Sequence, residues 1–204
     1  MSATIIYING PSSAGKTQLA HALQAALPEP YLYLSIDTLI NLMPPQVNDW
    51  TGERTTIGYS FQPATDEAGN TVYRVASGPY GQKIYRAFRA LIVTLARTDL
   101  SVIVDDIAFG QEQVQPWREE LRDFDVLWVG VTADLATLMA REQARGDRLV
   151  GSARDQAARV HAGVTYDLMI DTTATATDAA VRQILDHLAT RPTPDTPKRW
   201  AAHH

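Results

Sequence analysis

Thr4-Ile-Ile-Tyr-Ile-Asn-Gly-Pro-Ser-Ser-Ala-Gly-Lys-Thr17 is the stretch from which the rest of the chain can be read. Its first six residues form an apolar, β-rich run. Gly10, Pro11, Ser12, Ser13, Ala14, Gly15, Lys16 and Thr17 then fit G-x-x-x-x-G-K-[ST]. A helix-forming segment, Gln18 to Leu27, follows at once. A strand that turns through such a loop into a helix gathers backbone N–H groups around one anion, and the helix adds its positive end. Gly10 and Gly15 supply the bends that side chains would resist. Lys16 is expected to reach the β and γ phosphates of a nucleotide, and the Thr17 hydroxyl to bind the Mg²⁺ that accompanies them. The loop predicts binding of ATP or GTP.

Working outward, four further β-rich runs recur, separated by helical stretches: Tyr31–Asp37, Ser101–Asp106, Asp125–Val131 and Tyr166–Asp171. Their near-continuous Val, Ile, Leu and Tyr content suits strands covered on both faces. The expected fold is a three-layer α/β sandwich with a five-stranded parallel sheet, nucleotide-kinase-like around the phosphate loop. The alternation breaks between Asn48 and Pro79. There, residues 56–62 and 71–75 flank Asp66-Glu-Ala-Gly-Asn70 and predict an inserted β-hairpin with a polar turn, beside a helix from about Tyr80 to Arg97. One domain is expected over residues 1–190, with 48–80 as an acceptor-side insertion and 141–160 as a helical lid. Residues 191–204 turn to Pro, Thr and charge and are expected to form a loose tail.

Composition bounds the function classes. At 204 residues the chain suits one buried core. A net charge of -5 argues against a general nucleic-acid partner, which calls for a basic excess. The chain has no cysteine, which excludes disulfides, cysteine–zinc sites and thiol nucleophiles together. No apolar run is long enough to span a bilayer, and residues 1–10 lack the pattern of a secretion signal. No membrane partner is expected, and the predicted location is the cytoplasm.

In open α/β sheets ligands lie beyond the carboxyl ends of the strands. The second run ends in Asp37, the third in Asp105-Asp106 and the fifth in Asp171-Thr172-Thr173. Asp37 reads as the base that takes a proton from a hydroxyl attacking the γ phosphate, or as a cap for the helix expected over Thr38–Met43. Asp105 fits the position that holds Mg²⁺ opposite a phosphate loop. Asp106, on the opposite strand face, reads as an acceptor-side or supporting residue.

Arg141-Glu-Gln-Ala-Arg145-Gly-Asp-Arg148 forms a third constellation. Arg141 and Arg145 share a helix face, Gly146 ends that helix, and Arg148 lies beyond it. Beside a phosphate loop these arginines read as a lid that stabilises charge on the transferring group; on spacing alone they equally fit a solvated face paired with Glu142 and Asp147. His21 and His187 read as surface residues, and His161 as structural, the alternative being a positioning role beside the lid region. Trp50, Tyr59, Phe61, Tyr73 and Tyr80 are expected either to wall an acceptor pocket or to pack the hairpin on the sheet.

The segments Asn9–Thr17, Leu27-Pro-Glu-Pro30, Asp37-Thr-Leu-Ile40 with Met43-Pro44, Ile103–Asp106, Asp125–Val131, Arg141–Arg148, and Val160–Asp167 with Asp171–Thr173 together resemble the chloramphenicol phosphotransferase family of small P-loop kinases. The resemblance implies a nucleotide-kinase-like fold, ATP with Mg²⁺, transfer of the γ phosphate to a hydroxyl, and Asp37 as catalytic base. It points to chloramphenicol or another natural product as acceptor and to antibiotic inactivation as the outcome. Residues 48–80 look longer than the matching family segment and carry different aromatics.

Two other readings compete. One is a kinase of another acceptor, such as a sugar, a small metabolite or a nucleotide sugar, for which Arg54, Arg74 and Lys83 would hold an anionic group. The other is a nucleotide-dependent switch, against which stand Asp37, the arginines and the lack of an N-K-x-D motif.

Overall fold

In β1 (Thr4–Asn9) the residues Ile5, Ile6, Tyr7 and Ile8 are all fully buried, so both faces of this strand must be covered. The computed structural model, which describes residues 3–146 and 149–191, shows how. Along the chain follow α1 (Lys16–Ala26), β2 (Tyr31–Ser35), α2 (Ile36–Asn41), β3 (Tyr59–Thr65), β4 (Thr71–Ser77) and α3 (Pro79–Arg97). After these come β5 (Ser101–Asp106), α4 (Gly110–Glu120), β6 (Asp125–Thr132), α5 (Leu135–Arg145), α6 (Ser152–Arg159), β7 (Leu168–Asp171) and α7 (Thr177–Thr190). Five strands make one parallel sheet in the order β2-β5-β1-β6-β7, and β3 pairs antiparallel with β4 outside it.

Successive residues of β1 serve opposite layers, as a pleated strand requires. Ile6 and Ile8 pack with Leu19 and Leu23 of α1, Leu138 of α5 and Ile184 of α7. Ile5 and Tyr7 pack with Phe88 and Ile92 of α3 and with Val114 and Trp117 of α4. Tyr7 stands 5.1 Å from the Trp117 ring and 4.9 Å from that of Trp128, a tilted aromatic stack. Each large side chain so buried stabilises by ~1.5–3 kcal/mol. The three-layer α/β sandwich and its five parallel strands are therefore as the apolar runs predict.

Register lines up the functional ends. Ile8 pairs with Asp105, Asn9 with Asp106 and with Gly130, and Ser35 with Asp105. The chain moves from β1 out to β2 on one side and later to β6 on the other, so the crevice above β1 is a switch point of the sheet.

Local boundaries differ from expectation in three places. The second strand stops at Ser35, because the Ser35 hydroxyl accepts the Asp37 N–H at 3.0 Å and caps α2. Asp37 is thus a first-turn helical residue and is neither the strand end nor the cap. β7 begins at Leu168, two residues after Tyr166. The hairpin starts at Tyr59 because residues 47–58 form their own turns, with Gly58 so close to Asn48 Oδ1 that a Cβ would meet it at 2.3 Å. Its polar turn is as expected: Asp66 Oδ1 accepts N–H bonds from Ala68 and Asn70, and Gly69 adopts φ 82°. Asp147, Arg148 and the tail from 192 onward lie outside the described residues.

Candidate active site

The phosphate loop owes its shape to close approach and to a few side chains. A Cβ on Gly10 would lie 2.2 Å from the Val131 carbonyl oxygen of β6, so only glycine lets the loop leave the sheet there. Gly15 takes φ 85° and leads into α1, whose first residue is Lys16. Lys16 is buried; its Nζ donates to the Pro11 carbonyl at 3.0 Å and lies 3.8 Å from Asp105 Oδ1. Thr17 Oγ1 donates to Asp105 Oδ2 at 2.8 Å, and the Tyr33 hydroxyl donates to the same oxygen at 3.0 Å. Burial and the Asp105 charge push the Tyr33 pKa up to about 12, so Tyr33 stays a donor. A hydroxyl and a carboxylate oxygen side by side beneath a phosphate loop are the hard oxygen donors that Mg²⁺ prefers, so Thr17 and Asp105 fit that ion.

Asp106 lies on the other face of β5 and is fully buried. Its Oδ2 accepts from the Tyr7 hydroxyl at 2.8 Å, the Tyr85 hydroxyl at 2.7 Å and Trp117 Nε1 at 2.9 Å, while Oδ1 accepts the Ile107 N–H at 2.8 Å. Burial raises its pKa above the usual carboxylate range, against the lowering effect of those hydrogen bonds. Asp106 is thus held by four donors where it borders the larger of the two cavities described below. Asp171 borders neither of those cavities; it is exposed, and its Oδ1 accepts the Thr173 N–H in a local turn.

The arginines separate by role. Arg141 Nη1 donates to Thr172 Oγ1 at 3.0 Å and to the Ser13 carbonyl at 3.4 Å, and Nη2 to the Thr172 carbonyl at 3.2 Å. Thr172 Oγ1 in turn donates to the Ala14 carbonyl at 2.9 Å. Arg141 therefore braces the phosphate loop against the end of β7. Arg145 ends α5, and Gly146 caps the helix at φ 64°, as expected. Glu142 is no surface partner for these arginines. It is buried and accepts the N–H groups of Gly151 and Ala153 at 2.7 Å each and the Ser152 hydroxyl at 2.8 Å, tying the start of α6 to α5.

Two cavities meet here. The smaller, about 420 Å³, is bordered by the phosphate loop, Asp105, Arg141 and Arg145. The second, about 820 Å³, is bordered by Trp50, Tyr59 and Phe61 of the insertion and by residues of α3, α4 and α6. Ile36, Asp37, Ile107 and Arg145 border both. Trp50 stacks near-parallel on Tyr59 at 6.4 Å and meets Phe61 edge-on at 5.3 Å. Tyr73 and Tyr80 are not on this wall, and neither are Arg54, Arg74 and Lys83.

Sequence reasoning missed Gln156, whose Oε1 accepts the Ser12 N–H at 2.6 Å and which borders the larger cavity. It also missed Asp155, buried between Arg74 Nε and Arg159 Nη1 at 2.8 Å each. Nothing in a lone helical Gln or Asp marks such a role. His161 is structural as expected: its ring nitrogens contact the Tyr166 hydroxyl at 2.9 Å and the Val131 carbonyl at 3.2 Å, and burial lowers its pKa.

With this geometry in place, comparison with known proteins decides the family. The model of the chloramphenicol phosphotransferase-like family matches residues 3–189. The chain belongs to that family. A Mycobacterium tuberculosis relative named "Putative O-phosphotransferase Rv2636" is 32% identical over 194 residues, covering 93% of this chain and 84% of the relative. Among solved structures, the Mycobacterium tuberculosis APS kinase CysC in complex with AMPPNP and APS superposes with a TM-score of 0.64 at 14% identity, over 93% of this chain and 99% of that one. A sugar kinase from Janibacter sp. gives 0.60 at 16% identity, over 94% and 97%. The tunicamycin resistance protein of Deinococcus radiodurans gives 0.59 at 18%, over 95% and 100%. At these identities the structures speak for the fold alone. Fold, loop and family together make this chloramphenicol phosphotransferase-like protein a P-loop phosphotransferase of the kinase-like kind.

Proposed function

We propose that the protein transfers the γ-phosphoryl group of ATP to a hydroxyl of a small molecule held in the larger cavity, with Asp37 as the base. One observation carries this reading: Asp37 borders both the phosphate-loop cavity and the aromatic-walled cavity. A carboxylate at that junction can reach a hydroxyl aimed at the γ phosphorus. The acceptor oxygen forms a bond to phosphorus, the bond from phosphorus to the β–γ bridging oxygen breaks, ADP leaves, and the hydroxyl proton goes to the Asp37 carboxylate.

Lys16 and the loop N–H groups hold the β and γ phosphates, and Arg145, common to both cavities, faces the charge that spreads over the phosphoryl oxygens. Thr17 and Asp105 would hold Mg²⁺, which when bound neutralises charge on the phosphates. The family points to chloramphenicol as the first acceptor to test, with antibiotic inactivation in the cytoplasm as the outcome. The test is incubation with ATP-Mg²⁺ and chloramphenicol and a search for a product heavier by one phosphoryl group. ATP binding without that product moves the assignment to another hydroxylated acceptor. Asp37→Asn that still turns over at the wild-type rate would overturn the role of Asp37.

A further inference from the structure

Four arginines border the larger cavity, Arg86 and Arg89 from α3, Arg145 from α5 and Arg159 from α6, together with three carboxylates, Asp37, Asp106 and Glu112. The Asp106 charge is covered from within by Tyr7, Tyr85 and Trp117. Arg89 is matched by Glu120 at 3.0 Å, whereas Arg159 must share Asp155 with Arg74, two guanidinium groups on one buried carboxylate. One positive charge is thus left over at the α6 wall. Arg86, exposed on α3, has no hydrogen bond or ion pair among the described residues.

The α6 wall is also preset. Asp155 fixes the Arg159 guanidinium from behind at 2.8 Å, and the Phe109 ring lies 4.7 Å beneath it. A planar cation held this way loses little freedom on meeting an anion. Three residues earlier on the same helix face, Gln156 is 1% exposed. Its Oε1 is occupied by the Ser12 N–H, and its buried Nε2 has no partner. A buried donor without a partner costs about 1–3 kcal/mol, so its retention on a cavity wall points to a ligand acceptor there. The aromatic residues Trp50, Tyr59 and Phe61 border the same cavity.

We propose that the acceptor is an anion: a hydroxylated molecule with a flat apolar body and a carboxylate or phosphate that docks on Arg159 and Arg86. The idea rests on the phosphotransferase reading for the word acceptor, but the seat itself is a matter of binding and is tested without turnover. The probes are three para-hydroxymethyl aromatics that differ in one group: the benzoate, the phenyl phosphate and the neutral benzyl alcohol. Titration calorimetry with the full chain should give the benzoate or the phosphate at least about tenfold tighter binding than the alcohol. The stronger of the two identifies the anion. Arg86→Ala, which breaks no pairing, and Arg159→Ala should each erase most of that preference, and added salt should weaken it.

Equal binding of all three probes, no binding of either anion, or a preference that survives in both variants would overturn the proposal. Phosphoryl transfer is followed separately by ADP release. Anion preference without transfer to any acceptor would sink the kinase reading and leave the seat standing. Transfer to the alcohol with equal affinities would do the reverse.

Discussion

The two cavities, which the proposed function reads as donor and acceptor sites, draw on the chain by different means. The smaller cavity takes Ser12, Ser13, Gly15, Lys16 and Thr17 from one contiguous loop, whose backbone geometry suits an anion, and completes its wall with residues of α2, β5 and α5. The acceptor cavity gathers side chains from α2, the insertion, α3, α4 and α6, and its charges are set by partners outside it, such as Asp155 behind Arg159. Backbone recognition tolerates change around it. A side-chain pocket can be altered one residue at a time, so the acceptor half is where specificity is free to vary.

That contrast can be broken at its seam first. Asp37→Asn should cost ~10²–10⁴ in turnover, the usual worth of a positioned base, while nucleotide affinity measured by titration stays near wild type. A parallel loss in both would place Asp37 in the donor half alone. Lys16→Ala should lower turnover by ~10²–10³, as removal of a preorganised charge does, and this time nucleotide affinity should fall too. If the halves are joined through α6, Glu142→Ala should unfasten them. Loss of the acceptor for Gly151, Ser152 and Ala153 should cost roughly 1–3 kcal/mol of stability, read by denaturant melts, and raise KM for the acceptor more than for ATP.

The smallest expected effect concerns Asp106. Burial raises its folded pKa above the unfolded value, so the folded state binds the extra proton. Its contribution is full below the unfolded pKa of about 4 and is lost as pH rises through the folded value. The stability of the wild type relative to Asp106→Asn should therefore fall as pH rises across that window, and a difference flat in pH would contradict the burial argument.

Much of the fold was legible because it rests on short-range rules. Ile5 to Ile8 read as a strand buried on both faces, and Gly146 as a helix end, since chain geometry forces both. Asp37 was legible as a site residue but misplaced within its element: Ser35 competes for the same cap, and spacing cannot rank two capping residues two positions apart. Gln156 and Asp155 carried no signal, because each takes its role from a partner far away in the chain, Ser12 or Arg74, and Arg159 takes its setting from Asp155 in turn. Glu142 looked like a surface charge because its partners, Gly151, Ser152 and Ala153, reach it only once α6 folds back on α5.

The sequence by itself determined the phosphate loop, the parallel sheet and the family, since these depend on local backbone geometry and on the periodicity of burial. Only the tertiary structure decided that Asp37 and Arg145 lie between two cavities, that Asp106 is spent on Tyr7, Tyr85 and Trp117, and that α6 presents a charged wall to the acceptor side. Those facts are sums over contacts distant in the chain, and electrostatic balance exists only once the partners have met.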